Sequence, residues 1–371
     1  MVHRYLNRQI EQDLRKKMVF LAGPRQVGKT TLTGLVHKNQ ARQYLNWDIS
    51  KDRQAILKQT FDDVPLWIFD EIHKYRKWRN YLKGLYDEFK GKKMILVTGS
   101  AKLDLYRFGG DSLQGRYHFL RLNPLSCAEL KISKNKALQE LFELGGFPEP
   151  FFSSSKQEAN RWSAEYHTRF IHEDVLDLES VKDIGSMELL AYRLPECVGS
   201  PLSINSLRED LALNHKTVSK WIDIFERLYS IFRVLPYTYP TIKAVKKESK
   251  HYHFDWNLID DAGARFENMI AVHLLKYVQW IQDSQARDME LRFFRDIEGR
   301  EVDFIIVEKR KPVLLVECKL SDAPTSDHLA YLKRKFPEAM AWQVHLNGKK
   351  DYLTGEGIRM APALELLKDL V

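Results

Sequence analysis

Short apolar runs alternate with amphipathic stretches over residues 17–125. This alternation is the pattern of a parallel sheet covered by helices. The apolar runs predict five strands, at Met18–Ala22, Gln43–Trp47, Leu66–Phe69, Met94–Thr98 and Tyr117–Leu122. We therefore predict that an α/β core domain occupies residues 1–125.

The hydrophobic pattern changes several times after residue 125. Residues 126–195 are helix-rich, and residues 201–235 carry a compact pattern of three short helical segments. Beyond Lys250, a predicted helix near 264–281 is followed by predicted strands at 291–295, 301–307 and 312–318. These changes divide the chain into four predicted segments, at 1–125, 126–195, 196–250 and 251–371.

The composition indicates the cellular compartment of the protein. No apolar run approaches the roughly 20 residues that a membrane-spanning helix needs. The charged residues scattered along the N-terminus are typical of an amphipathic helix and not of a signal peptide. Cys127, Cys197 and Cys318 lie far apart, which argues for a reducing compartment and against a zinc ribbon or disulfide scaffold. We expect a cytoplasmic protein without a membrane partner.

The charge balance is basic. Lysine and arginine number 58 against 50 aspartates and glutamates, which gives a net charge of +8. Lysine and arginine are the main contacts to phosphate backbones, so a DNA partner is one explanation. A solvated basic surface is an equally good one.

The strongest motif follows the first predicted strand. It reads G-x-x-x-x-G-K-T, and it opens a predicted helix, which is the context that a phosphate-binding loop requires. Its glycines let backbone N–H groups wrap the phosphates, while the lysine reaches the β- and γ-phosphates and the threonine holds Mg²⁺. The predicted ATP-binding residues are Gly23, Pro24, Arg25, Gln26, Val27, Gly28, Lys29, Thr30 and Thr31.

The third predicted strand ends in an acidic pair, Asp70 and Glu71. Carboxylates at the carboxyl end of such a strand suit Mg²⁺ binding and water activation. We expect Asp70 to bind Mg²⁺ through its water shell and Glu71 to polarise the attacking water. The alternative is a solvated acidic pair at a strand end.

A series of motifs carries a family resemblance. The segments G-P-R-Q-V-G-K-T, F-D-E-I-H-K, L-V-T-G-S, G-R-Y and L-N-P-L-S-x-x-E-L resemble those of bacterial and archaeal AAA+ ATPases that carry an uncharacterised C-terminal module. Gly-Gly-Phe-Pro at 145–148 resembles the lid of that family, so residues 126–195 are expected to form a helical lid or linker. Downstream similarities at Phe266–Asn268 and Glu301–Phe304 extend the resemblance over nearly the whole chain.

The AAA+ resemblance implies further roles. The strand Met94–Thr98 would lie between the other two motif strands, so that Ser100, or Thr98, senses the γ-phosphate. Arg116 would be an arginine finger that acts on a neighbouring subunit, with Arg107 as the second candidate. An ordinary surface arginine is the alternative. We therefore expect a homo-oligomer, at least in the ATP-bound state.

Residues 202–228 have the pattern of a winged helix-turn-helix. Its second helix would carry Lys216, Thr217 and Lys220 toward a DNA major groove. The lysines that follow at 243, 246, 247 and 250 add positive charge. A helix bundle of the same shape that contacts protein is the alternative.

The C-terminal segment contains an ordered set of four residues. Glu267 lies on a predicted helix, Asp303 on a predicted strand, and Glu317 and Lys319 share a face of the next strand. This set resembles the PD-(D/E)xK nuclease fold, which implies that Asp303, Glu317 and Glu267 bind Mg²⁺ or Mn²⁺ while Lys319 is catalytic. The alternative is a retained fold without activity. His251 and His253 are interpreted as structural.

The sequence thus predicts an α/β protein with a P-loop AAA+ core, a helical lid, a winged-helix segment and a C-terminal nuclease-like α/β domain. The predicted function is ATP hydrolysis by a protein that acts on DNA and carries a metal-dependent nuclease domain. The alternative is a nucleotide-switched scaffold whose nuclease-like domain only binds protein or nucleic acid.

Overall fold

The computed structural model describes residues 2–99, 113–176, 183–238 and 248–371. It comprises two compact units. The first contains Met1–Asn123 and Arg227–Tyr229, and the second contains Pro124–Glu226 and Ser230–Val371. Within the described ranges, no helix combines the length and the apolar character that crossing a membrane would require.

The N-terminal unit is built on a five-stranded parallel sheet. Its strands are β1 (Met18–Ala22), β2 (Arg42–Asn46), β3 (Leu66–Asp70), β4 (Met94–Thr98) and β5 (Tyr117–Arg121). Their order in the sheet is β2-β3-β4-β1-β5, and each neighbouring pair is parallel. The predicted α/β core is confirmed, and each predicted strand agrees with the observed one to within one residue at either end.

The central strands of this sheet are buried on both faces because helices cover it. Every residue of β1 and β3 is buried, as expected for the central strands of a parallel sheet. Phe20 of β1 stacks on Tyr117 of β5, with ring centroids 4.4 Å apart. The helices of this unit are α1 (Asn7–Leu14), α2 (Lys29–Thr33), α3 (Ser50–Lys58) and α4 (Trp78–Phe89).

Strand order brings the motifs to one edge. Strand β4 lies between β1 and β3, as the AAA+ resemblance implies, and all three run in the same direction. Their carboxyl ends therefore meet at the same edge of the sheet. The residues that follow these ends are the phosphate-binding motif, Glu71 and Gly99.

The C-terminal unit begins with helices. They are α5 (Asn135–Leu144), α6 (Pro148–Ser153), α7 (Lys156–Arg169), α8 (Ile184–Arg193), α9 (Ile204–Asp210) and α10 (His215–Arg227). A π-helical turn at Phe170–Val175 extends α7. Asn214 separates α9 from α10, and its side-chain oxygen accepts a hydrogen bond from the N–H of Thr217 at 2.8 Å, which caps α10.

A mixed eight-stranded sheet completes this unit. The strands are β6 (Ile231–Pro236), β7 (Lys250–His253), β8 (Met289–Arg295), β9 (Glu301–Glu308), β10 (Lys311–Lys319), β11 (Met340–His345), β12 (Tyr352–Leu353) and β13 (Ile358–Pro362). Their order is β12-β13-β11-β10-β9-β8-β6-β7. The helices packed with it are α11 (Ala262–Gln285), α12 (Asp327–Lys335) and α13 (Ala363–Leu367). The predicted C-terminal α/β domain is confirmed, and sequence patterning located α11, β8, β9 and β10.

The helical segment and the C-terminal sheet share one core. Lys276 of α11 is buried, and its ammonium donates to Pro124 O at 3.0 Å and Ser126 Oγ at 2.9 Å and pairs with Glu129. Trp256 is also buried, and its indole N–H donates to Leu141 O of α5 at 3.2 Å. A buried ammonium is stable only with such partners, so these contacts join residues 124–144 to α11.

Candidate nucleotide site and a buried carboxylate cluster

The phosphate-binding motif forms a tight loop between β1 and α2. Gly23 has φ +145°, and a side chain there would overlap the carbonyl oxygen of Leu122. Gly28 has φ +99° directly before α2. Because L-residues with a Cβ atom avoid these conformations, both glycines are required by the backbone. The loop can therefore present its N–H groups to an anion at close range.

Lys29 lies across this loop. Its ammonium donates to the carbonyl oxygens of Gly23 and Pro24 at 2.9 and 2.7 Å. These two oxygens hold the ammonium beside the loop, in reach of any phosphate bound there. Thr30, the next residue of α2, brings its hydroxyl to the same edge of the sheet.

Asp70 is buried at the end of β3, where three elements meet. The Thr98 hydroxyl at the end of β4 donates to Asp70 Oδ1 at 2.5 Å, and the Tyr44 hydroxyl of β2 donates to Asp70 Oδ2. Burial and the Asp70 carboxylate raise the pKa of Tyr44, and the nearby Thr30 side chain offsets part of that rise. Tyr44 thus bonds one of the two residues predicted to hold Mg²⁺, Asp70, and lies near the other, Thr30.

Glu71 has an unusual backbone. Its φ of +55° lies in the left-handed region, and its N–H donates to Thr98 O at 3.0 Å. Residues with such strain cluster at functional sites. The carboxylate lies 3.5 Å from His73 Nε2 and 3.6 Å from Lys74 Nζ. Burial raises the pKa of Glu71, and the Lys74 ammonium offsets part of that rise.

The four residues that resemble the nuclease motif lie close together in the C-terminal unit. Asp303 of β9 accepts a hydrogen bond from Cys318 N at 2.8 Å, which holds it against β10. On β10, Lys319 Nζ donates to Glu317 Oε1 at 2.8 Å. Glu317 Oε2 is buried and has no hydrogen-bond partner among the described residues. Asp303 and Glu317 therefore form one end of a carboxylate cluster.

The other end of this cluster contains a lysine that sequence reasoning misassigned. Lys250 is 0% exposed, and its ammonium lies 3.1 Å from Glu267 Oε1, 2.6 Å from Glu301 Oε1 and 3.9 Å from Asp303 Oδ1. The Tyr252 hydroxyl also donates to Glu267 Oε1, at 2.7 Å. The prediction that Lys250 adds to an exposed basic surface was wrong, because three carboxylates hold its side chain in the interior.

The carboxylates of the cluster affect one another. Burial and the nearby Asp303 carboxylate raise the pKa of both Glu267 and Glu317 to about 7. Burial also raises the pKa of Asp303, against the lowering effect of Lys250. Burial alone would lower the pKa of Lys250, but the three carboxylates around it raise it. The three carboxylates therefore favour the charged form of Lys250 inside the cluster.

The cluster fits a divalent cation only at its Asp303–Glu317 end. Glu317 Oε2 lacks a partner there, and Mg²⁺ is commonly bound through one or two carboxylates with water and phosphate completing its shell. Glu267, the third predicted ligand, is engaged by Lys250 and Tyr252. Over the described ranges, no group of three or more His, Cys, Asp or Glu residues is arranged to hold a metal ion.

Comparison with known families agrees with the geometry of the N-terminal unit. Residues 15–131 match the family described as an AAA domain. The N-terminal unit is an AAA-type P-loop ATPase domain. Residues 135–262 and 262–366 match two domains of unknown function, DUF8612 and DUF4143. The AAA domain thus accounts for β1 to β5 and for the motifs between them.

Relatives that match most of the chain occur in bacteria and archaea. An uncharacterised protein of Mycobacterium tuberculosis is 24% identical over 87% of this chain and 77% of its own length. An uncharacterised protein of Methanocaldococcus jannaschii is 25% identical over 68% of this chain and 61% of its own length. Among solved structures, a Walker-type ATPase of Pyrococcus abyssi is similar with a TM-score of 0.45 and 13% identity, covering 71% of this chain and 96% of that chain.

Arg116 precedes β5 of the AAA domain. Its guanidinium makes two bonds to the Asp87 carboxylate of α4, at 2.8 and 3.1 Å. The next residue, Tyr117, pairs with Met18 at the start of β1, whereas the phosphate-binding loop follows the end of β1. Arg116 therefore lies at the opposite edge of the sheet, about 20 Å along the strand direction from the start of the loop. Ser100 and Arg107 lie outside the described residues.

The predicted helix-turn-helix corresponds to α9 and α10, followed by the antiparallel pair β6–β7. Lys216 and Lys220 of α10 are exposed, and Thr217 is half-buried. Lys243, Lys246 and Lys247 are outside the described residues. His251 and His253 are buried, and His251 Nε2 lies 2.9 Å from Leu194 O, consistent with a structural role.

Proposed function

We propose that this protein binds ATP–Mg²⁺ in its AAA domain and hydrolyses it. The observation that carries the proposal is the meeting of Lys29, Thr30, Asp70 and Thr98 at one edge of the sheet, with Glu71 beside them. Residues 23–31 would bind the phosphates, and Thr30 and Asp70 would hold Mg²⁺. Mg²⁺ neutralises charge on the β- and γ-phosphates when bound. Glu71 would accept a proton from the attacking water, and Thr98 or Ser100 would sense the γ-phosphate.

The direct test is phosphate release from ATP by the purified chain, with Mg²⁺ and with EDTA. Release that needs Mg²⁺ supports the proposal. Tight ATP binding without any release would instead favour a nucleotide-switched scaffold.

We further propose that Tyr44 positions Asp70 for Mg²⁺. A partner that orients a metal ligand typically contributes a factor of 10–100 to metal affinity. The Tyr44→Phe variant should therefore need about 10-fold more Mg²⁺ for half-maximal ATP hydrolysis, while its affinity for ATP in EDTA stays unchanged. Tyr81→Phe is the matched control, because the Tyr81 hydroxyl donates to Ile56 O. An unaltered Mg²⁺ requirement in Tyr44→Phe would remove this role.

We also propose that hydrolysis requires self-association in the ATP-bound state. This rests on the AAA+ resemblance, which implies that Arg116 acts on a neighbouring subunit, and on the distance of Arg116 from its own loop. An arginine supplied in trans is worth roughly 10³–10⁵ in rate. Specific activity should climb with protein concentration, and Arg116→Ala should abolish that climb. Asp87→Ala, which removes the partner and keeps the arginine, should preserve it. A concentration-independent rate in a monomeric protein would contradict the proposal.

The partner that we propose is DNA. The net charge of +8 and the exposed Lys216 and Lys220 on α10 support phosphate-driven binding. Such binding should weaken steeply between about 50 and 200 mM salt, since released counterions drive it. DNA binding that is insensitive to salt would argue against these contacts.

The second candidate function is metal-dependent DNA cleavage by the C-terminal unit. The unpartnered, buried Glu317 Oε2 beside Asp303 favours it, because an oxygen in that state lacks the cation or donor that would stabilise it. Asp303 and Glu317 would hold one Mg²⁺ or Mn²⁺, and Lys319 would stand next to the phosphate. A metal ion there would lower the pKa of a water nucleophile. If the C-terminal unit cleaves no DNA, it is a module that only binds protein or nucleic acid.

A further inference from the structure

Lys250 lies where the sequence predicts a metal ion. Its ammonium is between Glu267 of α11 and Asp303 of β9, two of the three predicted ligands, and it also pairs with Glu301. It has 0% exposure, so bulk solvent does not reach its charge. The carboxylates stabilise that charge instead.

The ammonium neutralises these carboxylate oxygens as a metal ion would. It offers three N–H donors, and two of its oxygen contacts are within 3.1 Å. A divalent ion bound to the same oxygens would lie a few ångströms from this ammonium. Repulsion between the two cations would be strong in a buried environment. The ammonium and a metal ion therefore exclude each other at this end of the cluster.

We propose that Lys250 is a built-in cation that replaces a divalent metal ion between Glu267 and Asp303. Glu267 is then an anchor for Lys250 and not a metal ligand. The cluster takes at most one divalent ion, at Asp303 and Glu317, where the proposed cleavage function requires it. The inference about Lys250 rests on that function only for the divalent ion at Asp303 and Glu317.

The inference predicts that a metal ion can substitute for the lost ammonium. Lys250→Met keeps an unbranched side chain of similar length and removes the charge. Three buried carboxylates then lack their cation, and breaking such a pair is strongly destabilising. In EDTA, the melting temperature of full-length Lys250→Met should fall by about 10 °C. Mn²⁺ should restore most of this loss, because the vacated place accepts the ion.

The Glu267→Gln variant tests whether the Glu267 carboxylate binds the Mn²⁺ that rescues Lys250→Met. In the Lys250→Met background, Glu267→Gln should abolish the rescue by Mn²⁺, because the new site has lost a ligand. In the wild-type background, Glu267→Gln should leave the response of the melting temperature to Mn²⁺ unchanged. This second comparison keeps the inference testable even if Lys250→Met does not fold.

The outcomes separate the two proposals. If Glu267→Gln abolishes a wild-type response to Mn²⁺, or if Mn²⁺ does not stabilise folded Lys250→Met, the built-in cation is refuted. If the wild type shows no response to Mn²⁺ but Lys250→Met is rescued, the built-in cation stands and a metal ion at Asp303 and Glu317 is refuted. A wild-type response that depends on Asp303 and not on Glu267 supports both.

Discussion

Glu71→Gln is expected to bind ATP–Mg²⁺ normally and to hydrolyse it at least 100-fold more slowly. A glutamine keeps the shape of the side chain but cannot accept a proton from the attacking water, and a general base typically contributes 10²–10⁴ in rate. Burial raises the pKa of Glu71, and Lys29 of the phosphate-binding loop is close enough to this carboxylate for its ammonium to offset part of that rise. Phosphate release under saturating ATP measures the loss.

Binding is measured separately by thermal unfolding. ATP at about 100 times its dissociation constant should stabilise the wild type and Glu71→Gln alike, by about 2.7 kcal/mol. Lys29→Ala should lose this stabilisation, because the phosphates lose their ammonium. Glu88→Gln is the control, since Glu88 is exposed on α4. Wild-type turnover in Glu71→Gln would remove it as the base.

The pH dependence gives a second measure of Glu71. The base must be deprotonated to act, and burial raises its pKa. As the pH is lowered, the rate of hydrolysis should therefore begin to fall at a pH above the one at which an ordinary glutamate is protonated. In Glu71→Gln, this acidic limb should be absent from the residual rate.

Asp303→Asn is expected to abolish DNA cleavage while ATP hydrolysis stays at the wild-type rate. The asparagine oxygen can still accept the hydrogen bond from Cys318 N, but the neutral amide loses the charge that holds a divalent ion. Lys319→Ala should likewise abolish cleavage, because the ammonium beside Glu317 is lost. Conversion of supercoiled plasmid to nicked or linear DNA, with Mg²⁺ or Mn²⁺, measures the effect.

The controls must exclude a folding defect in the variant and a nucleotide state in which cleavage is switched off. Asp288→Asn alters an exposed aspartate of the same unit and should cut like the wild type. Unfolding curves should show that Asp303→Asn is folded. Because an ATPase fused to a nuclease has to restrain it, the assay needs both nucleotide states and single- and double-stranded DNA. If no substrate is cut above the level of Asp303→Asn, the C-terminal unit is a binding module.

Local sequence was sufficient to predict most of the strands of the AAA domain. Strands β1 and β4 have the bounds that their apolar runs predict, because a strand buried on both faces must be apolar throughout. In the C-terminal unit, β9 and β10 were located for the same reason. Strands β11 to β13 and helix α12 were not, and their short or interrupted apolar runs explain the difference.

The sequence by itself determined the five parallel strands, the phosphate-binding loop and the acidic pair, because each depends on residues adjacent in the chain. Only the tertiary structure showed that Tyr44 and Thr98 both contact Asp70, since neighbouring strands of a parallel sheet are distant in sequence. It also decided the state of Lys250. A lysine that closely follows several others indicates an exposed basic surface, but its pairing partners are 17, 51 and 53 residues away. Burial of a charge depends on such distant partners, so only the fold could reveal it.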